Sequence, residues 1–240
     1  MSSFSSVTVF LLASNETELL SETVERILSS CCEKDISKIV IALKSDNCPS
    51  AGETDKIIAR YSEKIIEKYI QKSDSLIRCI AELPLLVDSS HFIIMGSDLE
   101  MNPDTVKDLI SEAKKYPDSI VSASKWADGS ETFGYGFIRG ICDKAVNRFI
   151  GLLYGVHGSD FFSIFQIYPF ELYKKMNFDD PDKFIFEYTL KPLKLGTQYF
   201  EIPTVYRRRN KDKSNFNFFV LVGVAFRYLK IAIKIKVKGS

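Results

Sequence analysis

The sequence predicts an α/β protein, a mostly parallel sheet flanked by helices and built as a single domain. Three observations carry that reading. Short β-rich apolar runs alternate with stretches of helical periodicity, the rhythm of helices wrapped around a parallel sheet. Several of the runs are apolar without interruption, as strands covered on both faces are. The composition, 45% hydrophobic and 26% charged over 240 residues, suits one ordinary core rather than two large ones.

Val7 to Ala13 reads as the first strand, followed by a helix with Leu19, Leu20, Val24, Ile27 and Leu28 on its apolar face. Lys38 to Leu43 repeats the strand and Glu53 to Lys64 the helix. Ile65 to Ile70 is a third strand, Ser75 to Val87 a helix interrupted at Pro84, and His91 to Met95 a fourth strand. Pro103 to Lys115 is an amphipathic helix and Ser119 to Ser122 a further strand. The connections between parallel strands are expected to be right-handed. Internal repeats and low-complexity linkers are absent.

The segment from His91 to Pro103 carries the sharpest functional signal. Phe92 to Met95 is continuously apolar, then Asp98 and Glu100 follow, then Asn102 as a helix cap and Pro103 for the first turn. Both carboxylates therefore sit at the carboxyl end of a buried strand, the edge where open α/β sheets bind ligands. Side chains two apart on extended backbone face the same way, so Asp98 and Glu100 could share one hard divalent cation. A solvated acidic loop complementing the next helix dipole is the alternative.

Other function classes are excluded by what the chain lacks. Cys31, Cys32, Cys48, Cys79 and Cys142 have neither zinc-site spacing nor the density of a disulfide scaffold, and there are two histidines. His91 and His157 read as structural or solvated. The polar start, Met1 to Ser6, does not resemble a signal peptide, and no apolar run approaches a membrane span. A cytoplasmic chain is expected.

The order of segments resembles the inverting glycosyltransferases of family 2, with the GT-A fold, and within it the polyprenyl-phosphate sugar synthases such as dolichyl-phosphate mannose synthase. Val9 to Ala13 with Asn15-Glu16 looks like the first strand and its Asn-Glu pair. Gly96-Ser97-Asp98-Leu99-Glu100 stands where the family has Asp-x-Asp-x-Gln. Val121 to Trp126 is similar to a Gly-Ser-Arg strand end, with Lys125 in the place of the Arg, and Arg139 with Asp143 stands for an Arg-x-x-x-Ser pair. Asp160 to Gln166 looks like Asp-x-x-Ser-Gly-Phe-Arg. Glu187, Lys194-Leu195-Gly196, Glu201-Ile202-Pro203 through Tyr206-Arg207, and Lys213-Ser214 match the closing pattern. The resemblance covers roughly Ser6 to Asn217.

It implies sugar transfer from a nucleotide sugar, with Mg2+ or Mn2+, to a polyprenyl phosphate or a glycan. Asp98 and Glu100 are the implied metal ligands. Asp98, Glu187 and Asp160 are the implied catalytic carboxylates, Glu187 or Asp160 serving as base if the acceptor is a hydroxyl. Asn15, Glu16, Asp46, Arg78, Lys125, Arg139, Arg207 and Arg209 are the implied donor and phosphate contacts. The chain departs from the pattern at three places. Ala42-Leu43 replaces the acidic pair that reads the base, Gly96 replaces the first carboxylate, and Lys72 to Arg78 replaces a Gly-rich approach to the donor. Lys125 and Arg139 also read as surface cations, and Trp126 as either a sugar platform or a core residue. A non-catalytic, nucleotide-binding or partner-docking domain is the alternative that the departures support.

The domain is expected over residues 6–214, with a basic, partly apolar tail over 215–240. From Arg207 onward the cations face Asp212 as the one acid, although the net charge of the whole chain is +1. Phe216 to Leu229 suits an interfacial helix or docking on the core. Ile231 to Lys238 alternates like a strand with Lys on one face. Attraction to an anionic membrane face is expected, and nucleic-acid binding is not, since no nucleic-acid module is recognisable.

Overall fold

The structure, a computed structural model, describes residues 3–62, 65–178, 180–208 and 218–237. The apolar runs form the strands of a seven-stranded sheet: β1 (Val7–Ala13), β2 (Ile36–Leu43), β3 (Ile66–Ile70), β4 (His91–Gly96), β5 (Ile120–Ser124), β7 (Gln166–Pro169) and β8 (Tyr199–Pro203). Their order is β3-β2-β1-β4-β7-β5-β8. All neighbours are parallel except β7, which runs antiparallel to both β4 and β5. The carboxyl ends of six strands, and the start of β7, therefore share one edge. A second, two-stranded sheet pairs β6 (Glu131–Phe133) with β9 (Val205–Arg207).

Alternation along the buried strands divides the interior into two cores. Val9, Leu11, Ile39 and Ile41 face α1 (Glu18–Ser30), α2 (Pro49–Tyr61) and α4 (Thr105–Lys115) through Leu20, Val24, Ile57 and Leu109. Phe10, Val40, Phe92 and Ile94 face the other way, toward α3 (Leu76–Glu82), α5 (Phe137–Tyr154), α7 (Phe184–Lys194) and α8 (Phe218–Val237). This second core is aromatic: Phe92 stacks on Tyr168 at 5.4 Å and Tyr168 on Tyr188 at 4.6 Å. Each fully buried Leu, Ile or Phe here contributes about 1.5–3 kcal/mol. The short helix α6 (Phe170–Lys175) follows β7.

Several boundaries differ from the expectation. α2 begins at Pro49, which suits the first turn, and ends at Tyr61; residues 63 and 64 lie outside the described part. α3 stops at Glu82, and Pro84 sits in a separate 3-10 turn. α4 begins at Thr105 because Asn102 shapes the preceding turn, its Oδ1 accepting from Asp104 N and from Arg26. The largest correction is at Ile231 to Val237, which is helix and not strand. Leu229, Ala232 and Ile235, three apart, reach the second core, so tertiary burial selects the helical period over β-propensity.

Candidate functional site

The ladder of β4 against β1 continues through Ser97, whose N–H and hydroxyl both donate to Leu12 O. The chain then turns. Leu99 adopts φ 58°, and Asp98 Oδ1 accepts the Glu100 N–H at 3.1 Å, the turn that a short carboxylate side chain stabilises. The backbone at 98–100 is therefore not extended, and the argument that extended spacing points both side chains one way is replaced by this side-chain-capped turn. A Cβ placed on Gly96 would lie 3.0 Å from Asp98 Oδ1. The Asp98 carboxylate thus crowds the space from which a first carboxylate at position 96 would grow.

Glu100 ties this acidic turn to β9. Its carbonyl accepts from Arg207 N at 2.7 Å and its Oε2 from the Tyr206 hydroxyl at 3.2 Å, while Met101 bridges to Tyr206. Burial, with Glu100 beside it, pushes the Tyr206 hydroxyl up to about 12.

A second cluster lies beyond Tyr206. The Tyr206 ring packs edge-on against Tyr135 at 5.4 Å, and Tyr135 against Trp126 at 5.1 Å. Lys125, just past the end of β5, turns inward: Nζ lies 2.8 Å from Asp160 and 3.3 Å from Asp143. The side chains of Lys125 and Asp160 are 13% and 2% exposed. Asp143 also accepts from Trp126 Nε1 at 2.9 Å, the Tyr135 hydroxyl at 2.8 Å and Asn147 Nδ2 at 3.0 Å. Glu201 on β8 accepts from the backbone N–H groups of Ser159 and Asp160 and from the Ser159 hydroxyl, fixing the turn that carries Asp160.

The charges follow from these contacts. Burial, helped by Asp143 and Glu201, pushes the Asp160 carboxyl up to about 6 against the pull of Lys125. At Asp143 burial acts upward too, but Lys125 and the Trp126 and Tyr135 hydrogen bonds outweigh it and hold the carboxyl below its ordinary value. Burial works against the Lys125 ammonium, yet the two carboxylates raise it. Arg139 stacks on Tyr135 at 4.4 Å, and Arg207, the residue after Tyr206 on β9, stacks on Phe133 at 4.5 Å.

The remaining expected residues distribute along the sheet edge. Asn15 is exposed, and Glu16 accepts from the N–H groups of Ser14 and Asn15. Asp46 is exposed, 3.6 Å from Lys68. The loops bearing these residues follow β1, which neighbours β4, and β2, one strand further out. Arg78 belongs to a different pairing: its guanidinium forks onto Asp182 at 2.8 and 2.9 Å, ahead of α7. Glu187, in the first turn of α7, is 11% exposed and lies 2.8 Å from Lys191, outside hydrogen-bond alignment. Arg209 and Lys213-Ser214 lie outside the described residues. Sequence reasoning assigned no role to Tyr135, Asp143, Glu201 or Tyr206. The last three stand at pattern positions, whereas Tyr135 has no signal beyond its place between two glycines.

Among the described residues no three His, Cys, Asp or Glu side chains gather to hold a metal. Asp98 and Glu100 each carry hard oxygen donors, the ligand type that hard divalent cations take together with water and phosphate.

No protein-family model matches the chain. Solved structures do. Glucosyl-3-phosphoglycerate synthase from Mycobacterium tuberculosis in complex with phosphoglyceric acid matches with a TM-score of 0.63 and 12% identity, over 94% of this chain and 80% of that one. The same enzyme with Mn2+, UDP-glucose and phosphoglyceric acid matches at 0.62 and 13%, over 98% and 82%. A mannosyltransferase from Pyrobaculum calidifontis with GDP-Man and Mn2+ matches at 0.58 and 13%, over 99% and 76%. At such identities the likeness shows the fold: this chain has the GT-A, Rossmann-like architecture of these glycosyltransferases.

Proposed function

We propose that the protein is a glycosyltransferase of the family 2 type that moves a sugar, with inversion, from a nucleotide sugar to a polyprenyl phosphate at an anionic membrane face. The observation that carries this is the acidic turn Asp98-Leu99-Glu100 at the carboxyl edge of a GT-A sheet, joined through Tyr206 and Tyr135 to the Lys125 cluster and flanked by Arg139 and Arg207. The solved structures of like fold bind UDP or GDP-Man with Mn2+, which supports the donor class and the metal. Asp98 and Glu100 would hold Mg2+ or Mn2+, which neutralises charge on the leaving diphosphate.

In the reaction an acceptor oxygen attacks the anomeric carbon opposite the diphosphate. The bond from that carbon to the phosphate oxygen breaks, and its electron pair leaves with the diphosphate. The residues support one class of acceptor over the other. A hydroxyl needs a carboxylate base within reach, whereas a phosphate monoester is already anionic near neutral pH. Asp160 is enclosed and committed to Lys125, so it stabilises the site rather than accepting an acceptor proton. A phosphate acceptor requires cations instead, and Arg139 and Arg207 provide them. The second reading, transfer to a glycan or protein hydroxyl, rests on Glu187, whose buried Oε2 is ion-paired with Lys191 at 2.8 Å but makes no aligned hydrogen bond. In that case Glu187→Gln would abolish transfer and leave donor binding intact.

Ala42 and Leu43 have no side-chain acceptor for a base edge, so base readout falls to Asp46 or to backbone groups. A thermal-shift screen of nucleotide sugars with and without manganese tests the donor half of the proposal. A ligand binding only the folded state raises the melting temperature, and a manganese-dependent shift with at least one UDP- or GDP-sugar is expected. Absence of any shift would favour a non-catalytic domain.

A further inference from the structure

The helices α5 and α8 carry apolar rows that the other described residues leave uncovered. Along α5, Ile138, Ile141, Phe149 and Leu152 are exposed, with exposed Ala145 between them. Their spacing of three or four residues sets them in one row along the helix. Ile141 is 54% and Leu152 77% exposed, large for side chains of this kind. α8 packs beside α5, its Ala232 O accepting from the Tyr154 hydroxyl at 2.9 Å and its Lys236 lying over the Tyr154 ring. It presents a second row, Phe226, Ile233 and Val237, with exposed Lys230 in line.

The charge on the two helices decides what covers this face. α8 contains Arg227, Lys230, Lys234 and Lys236 and no acidic residue. On α5, exposed Lys144 and Arg148 adjoin the apolar row, and the one acid, Asp143, is engaged in the Lys125 cluster. A second copy of the chain would set these cations against their own kind. An anionic lipid surface meets both demands, taking the apolar rows into the headgroup boundary and the cations onto its charge. We infer that α5 and α8 together form a membrane-docking face for anionic bilayers.

This locates the membrane contact of the transfer reading on which it rests. α5 starts at the candidate site, where Arg139 stacks on Tyr135, so docking along α5 brings that site to the lipid surface and a lipid-borne phosphate within its reach. The docking face extends beyond the basic tail to α5, a helix whose sequence gave no membrane signal.

Co-sedimentation of the full chain with phosphatidylcholine vesicles, with and without phosphatidylglycerol, tests the inference. Binding is expected on the anionic vesicles at low salt, weakening as salt screens it. The double variant Ile141→Glu, Leu152→Glu, and the milder Ile141→Ser, Leu152→Ser, should bind about tenfold less or worse. Their circular dichroism and manganese-dependent donor shift should match the parent. Unchanged sedimentation of both variants overturns the inference. So does a parent dimer that the variants dissolve, which would assign the face to a second copy. Failure of the parent to sediment on anionic vesicles at low salt overturns it as well. A lost docking face with an intact donor shift leaves the transfer reading standing, and a lost donor shift with intact docking refutes transfer alone.

Discussion

Asp98→Asn is expected to weaken manganese-dependent binding of the nucleotide sugar on the order of 100-fold, the scale of a metal contact worth several kcal/mol. Asparagine keeps a side-chain oxygen for the Glu100 N–H, so the turn at Leu99 survives and the stability change stays near 1 kcal/mol or below. The substitution separates charge from geometry. Glu100→Gln should act in the same direction, while also disturbing the contact with the Tyr206 hydroxyl. Calorimetric titration of donor with and without manganese reads both variants. Unchanged manganese dependence in the two would remove the shared-cation assignment.

The second large effect is expected at Lys125. Lys125→Met leaves Asp143 and Asp160 facing each other in a buried place, and removing one partner of such a group costs about 3–5 kcal/mol. A surface cation would cost about 0–1 kcal/mol, so the two readings of Lys125 predict clearly different unfolding curves.

The loss should depend on pH. The Asp160 carboxyl titrates in the folded protein at about 6, above its unfolded value. The folded state therefore holds more protons than the unfolded one between about pH 4 and 6. Its contribution is present below the unfolded value and falls as pH rises through the folded one. Asp143 is shifted the other way, so its contribution is present above the unfolded value and is lost on strong acidification. Urea unfolding at pH 5 and pH 7 brackets the folded Asp160 value and stays above the acid range in which the Asp143 contribution is lost. The penalty of Lys125→Met should shrink at pH 5, where Asp160 neutralises readily. A penalty below about 1 kcal/mol at pH 7, or one independent of pH, would contradict the buried-cluster description.

The parts of the fold legible in the sequence are those where burial is continuous. β1 matches its expected range because Val7 to Leu11 is covered on both faces, and β4 runs one residue beyond its expected end. The antiparallel β7 was not legible: it is four residues long, ends in Pro169, and is placed by pairing with β4 and β5 rather than by local pattern. The strand-like alternation at Ile231 to Val237 misled because its apolar residues also recur at helical spacing, and packing on α5 and α7 decides between the periods.

The site divides in the same way. Asp98 and Glu100 announced themselves by ending an apolar run. Lys125, read beside Trp126, carried no local sign of burial. Its carboxylate partners stand 18 and 35 positions away and meet it only once α5 and the turn before β7 are in place. Glu201 is likewise silent locally, since its work is to accept N–H groups from a distant turn.

The central claim, transfer of a sugar from a nucleotide donor to a phosphate acceptor, is tested most directly by incubating the full chain with labelled UDP- and GDP-sugars, manganese and a polyprenyl phosphate, then extracting the lipid. Label is expected in the lipid fraction as an acid-labile sugar phosphate of inverted anomeric configuration, reduced in Asp98→Asn and retained in Glu187→Gln. Label transferred instead to a glycan or protein hydroxyl and lost in Glu187→Gln, or no transfer from any donor that binds, would contradict it.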